Sequence, residues 1–341
     1  MVIYNIFVKE YYNNMETPIA NNRLLLIINP ISGVGAKEAI EPLVRELMTP
    51  AGYTVDVAYT CARGDATRLA CKAAANGYKA VVAAGGDGTV NETAKALCGT
   101  GIRFGIIPCG SGNGLARHLG IPMDLRKATK LMAKNHVIDI DYGSVNGMPF
   151  FCTFGIGFDA AVSGHFAKQH RRGKLSYIKS AISEYINFHP QVYTLSANGK
   201  VLTEKAFLIA VCNASQYGNN AYIAPHASIT DGLLDITIIH AGNPIDTALV
   251  GVDLFTGYIN SNTMINTFRA PAAIIYRNQT GPAHLDGEPV TINDTIEIKC
   301  HPNQLRVFTP AKEKTFRPII TPIENMVSDM GAVLSKIFIT K

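Results

Sequence analysis

Small polar residues set among glycines, and carboxylates at the tips of tight turns, are the groups in this chain whose spacing could do chemistry. Asn29-Pro30-Ile31-Ser32-Gly33 follows the apolar run Leu24–Ile28. Gly85-Gly86-Asp87-Gly88-Thr89 follows Ala80-Val81-Val82, and Gly110-Ser111-Gly112-Asn113-Gly114 follows Phe104–Ile107. Each precedes a helix-like pattern. At the carboxyl edge of a parallel sheet such turns lie together, and backbone N–H groups and helix N-termini converge there on phosphates. A single turn of this kind could be no more than a tight turn, since glycine is how those are made. Three in register, one with a central Asp, point to a nucleotide triphosphate site.

Asp87 at the tip of the second turn could cap the following helix, but Thr89 can already do that. An acidic group beside a phosphate cradle is repulsive unless a cation intervenes, so Asp87 reads as a handle on magnesium or on a hydroxyl that must lose a proton. Asn91 is placed to reach back toward the ligand, and Glu92 reads equally as a residue of the helix surface. Asn29 and Ser32 can stabilise their own loop by Asx-turn chemistry and still present its N–H groups. Thr60 ends the second strand at the same edge. Ser111 and Asn113 stand among three glycines, where little else calls for a hydroxyl and an amide; His118 nearby reads as a hydrogen-bonded residue rather than a catalyst. Two further acidic turns lie in the second half. Leu285-Asp286-Gly287-Glu288-Pro289 alone reads as an ordinary hairpin turn, and Asp231-Gly232-Leu233-Leu234-Asp235 could present Asp231 and backbone carbonyls to a hard cation.

The elements that must position these residues fall into two textures. From Arg23 to about Asp141, strands at 24–28, 53–59, 79–84 and 103–107 alternate with helices at 36–48, 65–76, 89–98 and 124–134. Asp65 and Asp124 are the expected N-caps, and Gly52, Gly77 and Gly99 the stops. That alternation implies a doubly wound α/β domain with a parallel sheet. After Val137 the segments Val192–Ala197, Lys205–Asn213, Leu234–His240, Arg269–Tyr276, Val290–Cys300 and Leu305–Phe308 alternate apolar and polar. Asn198-Gly199, Asp231-Gly232 and Asp286-Gly287 separate several of them, which are strong hairpin signals. The second half therefore reads as an antiparallel β domain with helical insertions at 173–188 and 245–256. A last helix over 323–339 is expected to pack back on the first domain.

The 341 residues leave room for about two domains. A hydrophobic content of 47% with 17% charged residues supports a proper core and excludes disorder. The net charge of +5 carries no Lys/Arg run that would indicate nucleic acid. Seven cysteines, an odd number with no Cys-x-x-Cys, read as free thiols in a reducing cytoplasm and not as a disulfide framework or a zinc site. No stretch approaches the roughly 20 apolar residues that span a bilayer. Residues 1–21 read as an extension outside the fold, with no secretory signal among them.

In combination and order, Asn29-Pro30-x-Ser32-Gly33, Gly85–Glu92, Pro108-x-Gly110-Ser111-Gly112-Asn113, Asp231–Asp235 and Leu285–Glu288 resemble the diacylglycerol kinase catalytic-domain family, over about residues 22–310. The resemblance implies an α/β ATP-binding domain (22–141), a β-sandwich lipid-binding domain (142–310), a cleft between them, and a C-terminal segment (311–341). It implies ATP contacts at Asn29, Pro30, Ser32, Gly33, Thr60, Gly85, Gly86, Asp87, Gly88, Thr89, Asn91, Gly110 and Ser111. Gly-Thr is usual where this chain has Gly110-Ser111, and the hydroxyl is kept. Glu288 is implied as proton acceptor with Asp286 beside it, and Asp87 as the rival base or metal ligand. A structural Mg2+ is implied at Asp231, with backbone carbonyls of Ser228 and Leu233. The implied reaction is transfer of the ATP γ-phosphoryl group to a lipid hydroxyl, with diacylglycerol, phosphatidylglycerol and sphingoid bases all open as acceptors.

NAD kinases carry a related Gly-Gly-Asp-Gly-Thr loop, but that reading leaves the Gly-Ser-Gly-Asn-Gly loop and the Leu-Asp-Gly-Glu turn unexplained. A non-catalytic nucleotide or lipid sensor is the rival of another class, and the presence of every candidate acidic residue argues against it. The basic stretch Lys168–Lys174, with Lys179 and flanked by Phe166, Tyr177 and Ile178, is either a solvated loop or a patch that docks on an anionic membrane. The expected location is the cytoplasm, peripheral at the inner face of the membrane, with a homodimer as one open oligomeric state.

Overall fold

Apolar runs without alternation make strands that are covered on both faces. In the computed structural model, which describes residues 22–32, 37–168, 188–259, 262–312 and 315–339, four such strands pair in parallel. They are β1 (Arg23–Ile28), β2 (Thr54–Tyr59), β3 (Ala80–Gly85) and β4 (Arg103–Pro108), in the order β2-β1-β3-β4. The helices between and after them are α1 (Ile40–Met48), α2 (Asp65–Ala75), α3 (Asp87–Leu97), α4 (Gly114–His118) and α5 (Leu125–Ala133). Successive strand residues point to opposite faces, so each strand feeds two cores. Leu24, Leu26, Ile28 and Val82 pack with Ile40, Val44 and Met48 of α1 and Leu131 and Met132 of α5. Leu25, Ile27, Val81 and Ala83 pack with the alanines of α2 and with Val90, Ala94 and Leu97 of α3. This is the doubly wound layer that the alternating pattern predicts.

Two local details differ from the sequence expectation. Asp124 caps α5 as expected, accepting from Lys127 N–H at 2.9 Å. Asp65 does not cap α2: its carboxylate turns back to accept from Cys61 and Ala62 N–H, at 2.8 and 3.0 Å. The cap comes from Glu92 of α3, which accepts from Gly64 and Ala66 N–H at 2.8 and 3.2 Å. A left-handed glycine, Gly64, at the N-cap position offers no side chain, so a neighbouring helix supplies the carboxylate. The second difference is that α3 begins two residues earlier than expected, which puts Asp87 in its first turn and removes Thr89 from a capping role.

The second half is antiparallel. Its strands are β5 (Val137–Val145), β6 (Met148–Phe150), β7 (Thr153–Gly157), β8 (Gln191–Ala197), β9 (Lys200–Cys212), β10 (Leu234–His240), β11 (Ile265–Ala270), β12 (Ala272–Arg277), β13 (Gly281–Leu285), β14 (Glu288–Ile292) and β15 (Thr295–Phe308). Inward residues from β5, β7, β8, β9, β10, β12 and β15 enclose one core around Phe154, Leu195, Ile209, Ile236, Ile275 and Ile296, and this half is a β-sandwich. Helix α6 (Phe158–Lys168) follows β7, and α7 (Pro244–Thr256) is capped by Asn243. Asn198-Gly199 and Asp286-Gly287 both have two consecutive positive φ values, the two-residue hairpin geometry that their sequence announces. Arg269–Tyr276, expected as one strand, is divided at Pro271. β11 pairs with β10, whereas β12 pairs with β8 and β15; proline brings no N–H to a ladder. Conversely, β15 continues through the expected break before Leu305, with a register shift between His301 and Leu305.

β5 and β15 tie the halves together. They pair along Ile298–Phe308, and Val307 then pairs in parallel with Phe104 of β4, giving a 15-stranded sheet. The boundary expected at residue 141 thus falls inside β5. Helix α8 (Ile320–Ile339) touches both halves. Its Asp329 receives two hydrogen bonds from Arg117 of α4, at 2.9 and 3.0 Å, and its Asn325 donates to the Tyr222 hydroxyl at 2.8 Å. The expected helix at 173–188 begins outside the described residues. So does the basic stretch, apart from the backbone of Phe166–Lys168 at the end of α6. Among the described residues no helix is long and apolar enough to cross a membrane.

Candidate functional site

All three glycine-rich turns lie at the carboxyl edge of β1, β3 and β4. The first is held by Asn29, whose N–H donates to Ala84 C=O at 3.0 Å and whose side-chain oxygen accepts from Ile31 N–H at 3.1 Å. That is the expected Asx turn. The Asn29 amide also donates to Thr89 Oγ1 at 2.9 Å, which locks the first turn to the start of α3. Ser32 Oγ donates to Asn29 C=O at 3.1 Å. Gly33 lies outside the described residues. Thr60 is buried at the end of β2, with its N–H on Ile28 C=O at 3.0 Å.

The second and third turns run back to back. A Cβ on Gly110 would stand 2.7 Å from Gly86 Cα, and one on Gly85 would strike Thr89. Glycine is needed here for the close approach of two backbones. Cys109 N–H donates to Gly85 C=O at 2.8 Å across the seam. Asn113, in the left-handed region at φ 53°, closes its own turn: its side chain accepts from Gly110 N–H at 3.0 Å and donates to Gly110 C=O at 2.8 Å. Ser111 remains exposed. Gly86 caps α3 without a side chain, so the helix's positive end is offered toward the turn.

Asp87 does something that its motif does not announce. Its Oδ2 accepts from Asn113 N–H at 2.9 Å and its Oδ1 from Gly114 N–H at 2.8 Å. One carboxylate therefore braces the third turn against the second and satisfies the first amides of α4. Each oxygen keeps a lone pair for a further partner.

Across from α3 lies the β13–β14 turn. Asp286, at φ 51°, takes Phe151 N–H on Oδ2 at 2.9 Å, and Cys152 and Thr153 N–H on Oδ1 at 2.7 and 3.0 Å. Its fourth donor is the Asn91 side chain of α3. Asn91, expected near the ligand, donates to this aspartate and so links α3 to the β13–β14 turn. Withdrawal from water raises the Asp286 pKa, against the three backbone bonds, which favour the charged form. Glu288 is different. Its side chain is 48% exposed, it pairs with Arg63 at 2.7 Å, and it lies over Gly88, a Cβ on which would stand 3.9 Å from Oε1. The second half thus delivers one saturated carboxylate and one accessible carboxylate to the N-terminus of α3.

His118 is hydrogen-bonded, as the sequence reading expects, whereas Asp159 and His284 had no signal of their own. His118 sits at the junction of the halves, with Nδ1 accepting from Ser215 N–H at 3.1 Å and 3.0 Å from Ser215 Oγ. Burial lowers its pKa to about 4 and keeps it neutral. His284 and Asp159 form a buried pair directly behind the acidic turn, with Nε2 and Oδ2 2.7 Å apart. Burial alone would lower the His284 pKa; the neighbouring carboxylate outweighs it and the net direction is up. Asp159 follows Gly155-Ile156-Gly157-Phe158, and His284 precedes the acidic turn by two residues. Proximity to glycines and to a motif is the only hint that the chain gives of either.

Asp231, expected to hold a metal with backbone carbonyls of Ser228 and Leu233, lies in the turn before β10. Its Oδ2 lies 3.6 Å from the Arg269 guanidinium, which also holds Asp235 at 3.0 Å, and its Oδ1 accepts from Leu233 N–H at 3.1 Å. Ser228 Oγ lies 3.4 Å from Thr230 Oγ1. Arg269 thus supplies positive charge at the Asp231 carboxylate. The buried acidic residue that organises this turn is Asp141, which takes Gly232 and Asn303 N–H at 2.7 and 2.8 Å. Among the described residues no three His, Cys, Asp or Glu side chains converge to hold a metal.

Comparison with known proteins agrees with this geometry. Residues 23–145 match the diacylglycerol kinase catalytic domain, and residues 153–309 match the YegS C-terminal NAD kinase beta sandwich-like domain. A Pseudomonas syringae pv. tomato protein named "Probable lipid kinase YegS-like" is 30% identical over 282 residues, 80% of this chain and 89% of that protein. The Bacillus subtilis protein named diacylglycerol kinase is 29% identical over 272 residues, 78% of this chain and 89% of its own length. A crystal structure titled as a diacylglycerol kinase from Bacillus anthracis superposes with a TM-score of 0.67 at 22% identity, covering 85% of this chain and 97% of that one, which shows the shared fold.

Proposed function

Because the chain belongs to the diacylglycerol kinase catalytic-domain family, a family of lipid kinases, we propose that it transfers the γ-phosphoryl group of ATP to a lipid hydroxyl, with diacylglycerol as the leading acceptor. The observation that carries this reading is the meeting of the back-to-back glycine turns and the uncapped start of α3 with the accessible carboxylate of Glu288. Phosphates bind where backbone amides and a helix N-terminus converge. Asn29, Pro30, Ser32, Gly33, Thr60, Gly85 to Thr89, Gly110 and Ser111 form that cradle in this reading. Asn91 serves it indirectly, by holding Asp286.

Of three candidate carboxylates, Glu288 suits proton transfer best. Asp286 already receives four donors and Asp87 braces two amides, whereas Glu288 has an exposed arginine as its partner. In the proposed step the lipid oxygen attacks the γ-phosphorus, its proton passes to the Glu288 carboxylate, and the bond to the β-phosphate oxygen breaks to release ADP. Magnesium bound with the nucleotide supplies neutralising charge; the remaining lone pairs of Asp87 fit it directly or through water. The β-sandwich half holds the acyl chains. Peripheral contact with an anionic membrane at the cytoplasmic face, through the basic stretch that includes Arg171, Arg172 and Lys174, belongs to the same reading. Loss of vesicle binding at high salt tests it.

Incubation with ATP, magnesium and a panel of diacylglycerol, phosphatidylglycerol, sphingoid base and NAD, followed by mass spectrometry, tests the function. Phosphorylated diacylglycerol is the expected product. Phosphorylation of NAD alone, or of nothing in the panel, overturns the proposal.

A further inference from the structure

Behind the acidic turn, Asp159 and His284 are 4% and 1% exposed, and the Nε2–Oδ2 distance is 2.7 Å. Neither atom has another hydrogen-bond partner among the described residues. The other ring nitrogen, Nδ1, accepts from Gly287 N–H at 3.3 Å. Gly287 lies between the two acidic residues of the turn. Room for the pair is made on purpose: any side chain at Gly155 would strike both groups. The Tyr217 ring packs edge-on against the imidazole, with centroids 6.2 Å apart. The charged groups that face the ring are Asp159 from the start of α6 and Asp286 from the turn itself.

We infer that Asp159 and His284 are positioning residues for phosphoryl transfer: Asp159 fixes the imidazole with its proton on Nε2, the bare Nδ1 holds Gly287 N–H, and the turn so held aims Glu288. The inference rests on the reading of Glu288 as proton acceptor. Stability alone is a poor reason for such a pair, because burying a carboxylate and an imidazole costs the hydration of both. What the pair provides is orientation. Asp286 anchors one end of the turn on the 151–153 amides, and Glu288 starts β14 at the other end. Gly287 between them has no side chain and lies at φ 81°, so its N–H is the handle by which the middle of the turn can be fixed.

In Asp159→Asn the amide can donate to Nε2, which moves the ring proton to Nδ1, where it opposes Gly287 N–H. His284→Gln keeps a polar group near Nε2 but loses the acceptor facing Gly287. His284→Asn places a carbonyl oxygen near the Nδ1 position and keeps that acceptor. With diacylglycerol in mixed micelles, kcat of Asp159→Asn and His284→Gln should fall about 10- to 100-fold at unchanged ATP KM, the scale of a misaimed catalytic group. His284→Asn should stay within about threefold of wild type on the same argument. Wild-type kcat in all of them, or equal loss in both His284 variants with a raised ATP KM, overturns the inference. Histidine 15N shifts of the wild-type protein, followed to alkaline pH because Asp159 raises the His284 pKa, give a readout that does not depend on the variants folding: once neutral, a ring protonated on Nε2 is expected, and one protonated on Nδ1 overturns the inference. Glu288→Gln separates the two readings. If that variant keeps full kcat, the proton-acceptor reading fails; if it is inactive while Asp159→Asn and His284→Gln match wild type, only the positioning role fails.

Discussion

The glycine-rich turns and the β13–β14 turn each contain an aspartate loaded with backbone donors, but the donors come from different distances. Asp87 holds the amides of Asn113 and Gly114, 26 and 27 residues further on. Asp286 holds the amides of Phe151, Cys152 and Thr153, 133 to 135 residues earlier, and the Asn91 side chain from the other half. The first carboxylate organises a neighbouring loop within one α/β unit. The second ties distant parts of the chain into one site. In both regions the aspartate at the centre of the motif acts as scaffold, and the carboxylate with no backbone amide on it is Glu288, two positions beyond Asp286. A motif aspartate can therefore matter as much for assembling a site as for the chemistry done in it.

Glu288→Gln tests the accessible side of that comparison and should have the largest effect. Removing a proton acceptor costs about 10²- to 10⁴-fold in rate. We expect kcat to fall by about a thousandfold, with melting temperature and ATP binding unchanged. Near-normal turnover at matched stability would place the acceptor elsewhere and would return Asp87 to first place.

Asp286→Ala tests the scaffold reading of the second region. Three amides and the Asn91 side chain lose a shared acceptor, each left to find water or to remain unpaired. The expected loss is about 3 kcal/mol of folding stability, measured by denaturant unfolding. Asp87→Asn should be milder in stability, about 1–2 kcal/mol, since one oxygen still accepts and the new NH2 opposes one amide. Its ATP KM should rise because the third turn loosens. If Asp286→Ala unfolds no more easily than wild type, the acidic turn is not what joins the halves.

His118 allows a test by pH. Its folded pKa, about 4, is depressed by burial below the ordinary histidine value of 6.5, so the folded protein keeps it neutral while the unfolded chain takes a proton. The contribution is fully present above the unfolded value and is lost as pH falls from there through about 4. The stability difference between wild type and His118→Gln should therefore shrink as pH drops through that window, by up to a few kcal/mol. A difference independent of pH would show that His118 is not held neutral at the junction.

The smallest effect is expected for Arg63→Ala. The Arg63–Glu288 pair is 83% and 48% exposed on its two sides. Such pairs contribute about 0–1 kcal/mol, and thermal stability should barely move. A large loss of kcat without a loss of stability would instead give Arg63 a part in binding the phosphates.

The chain's own pattern was enough to find the parallel layer, the hairpin turns and the glycine-rich motifs. The reasons are local. Runs such as Leu24–Ile28 are apolar at every position, and Asn198-Gly199 and Asp286-Gly287 accept positive φ values that other pairs resist. Where the reading went astray, a distant partner had intervened. Asp65 yielded its expected cap to Glu92, which lies on another helix. Pro271 was visible as a residue, yet the different neighbours of β11 and β12 depend on pairings with strands far away in sequence.

By itself, then, the sequence determined which residue types stand at each turn: glycines where backbones approach, and carboxylates at Asp87, Asp286 and Glu288. Only the tertiary structure decided which of those carboxylates is occupied and which is open. A carboxylate's capacity is set by the donors brought to it. Those donors are backbone amides, identical at nearly every residue, and so they leave no mark in the sequence until the fold brings them into reach.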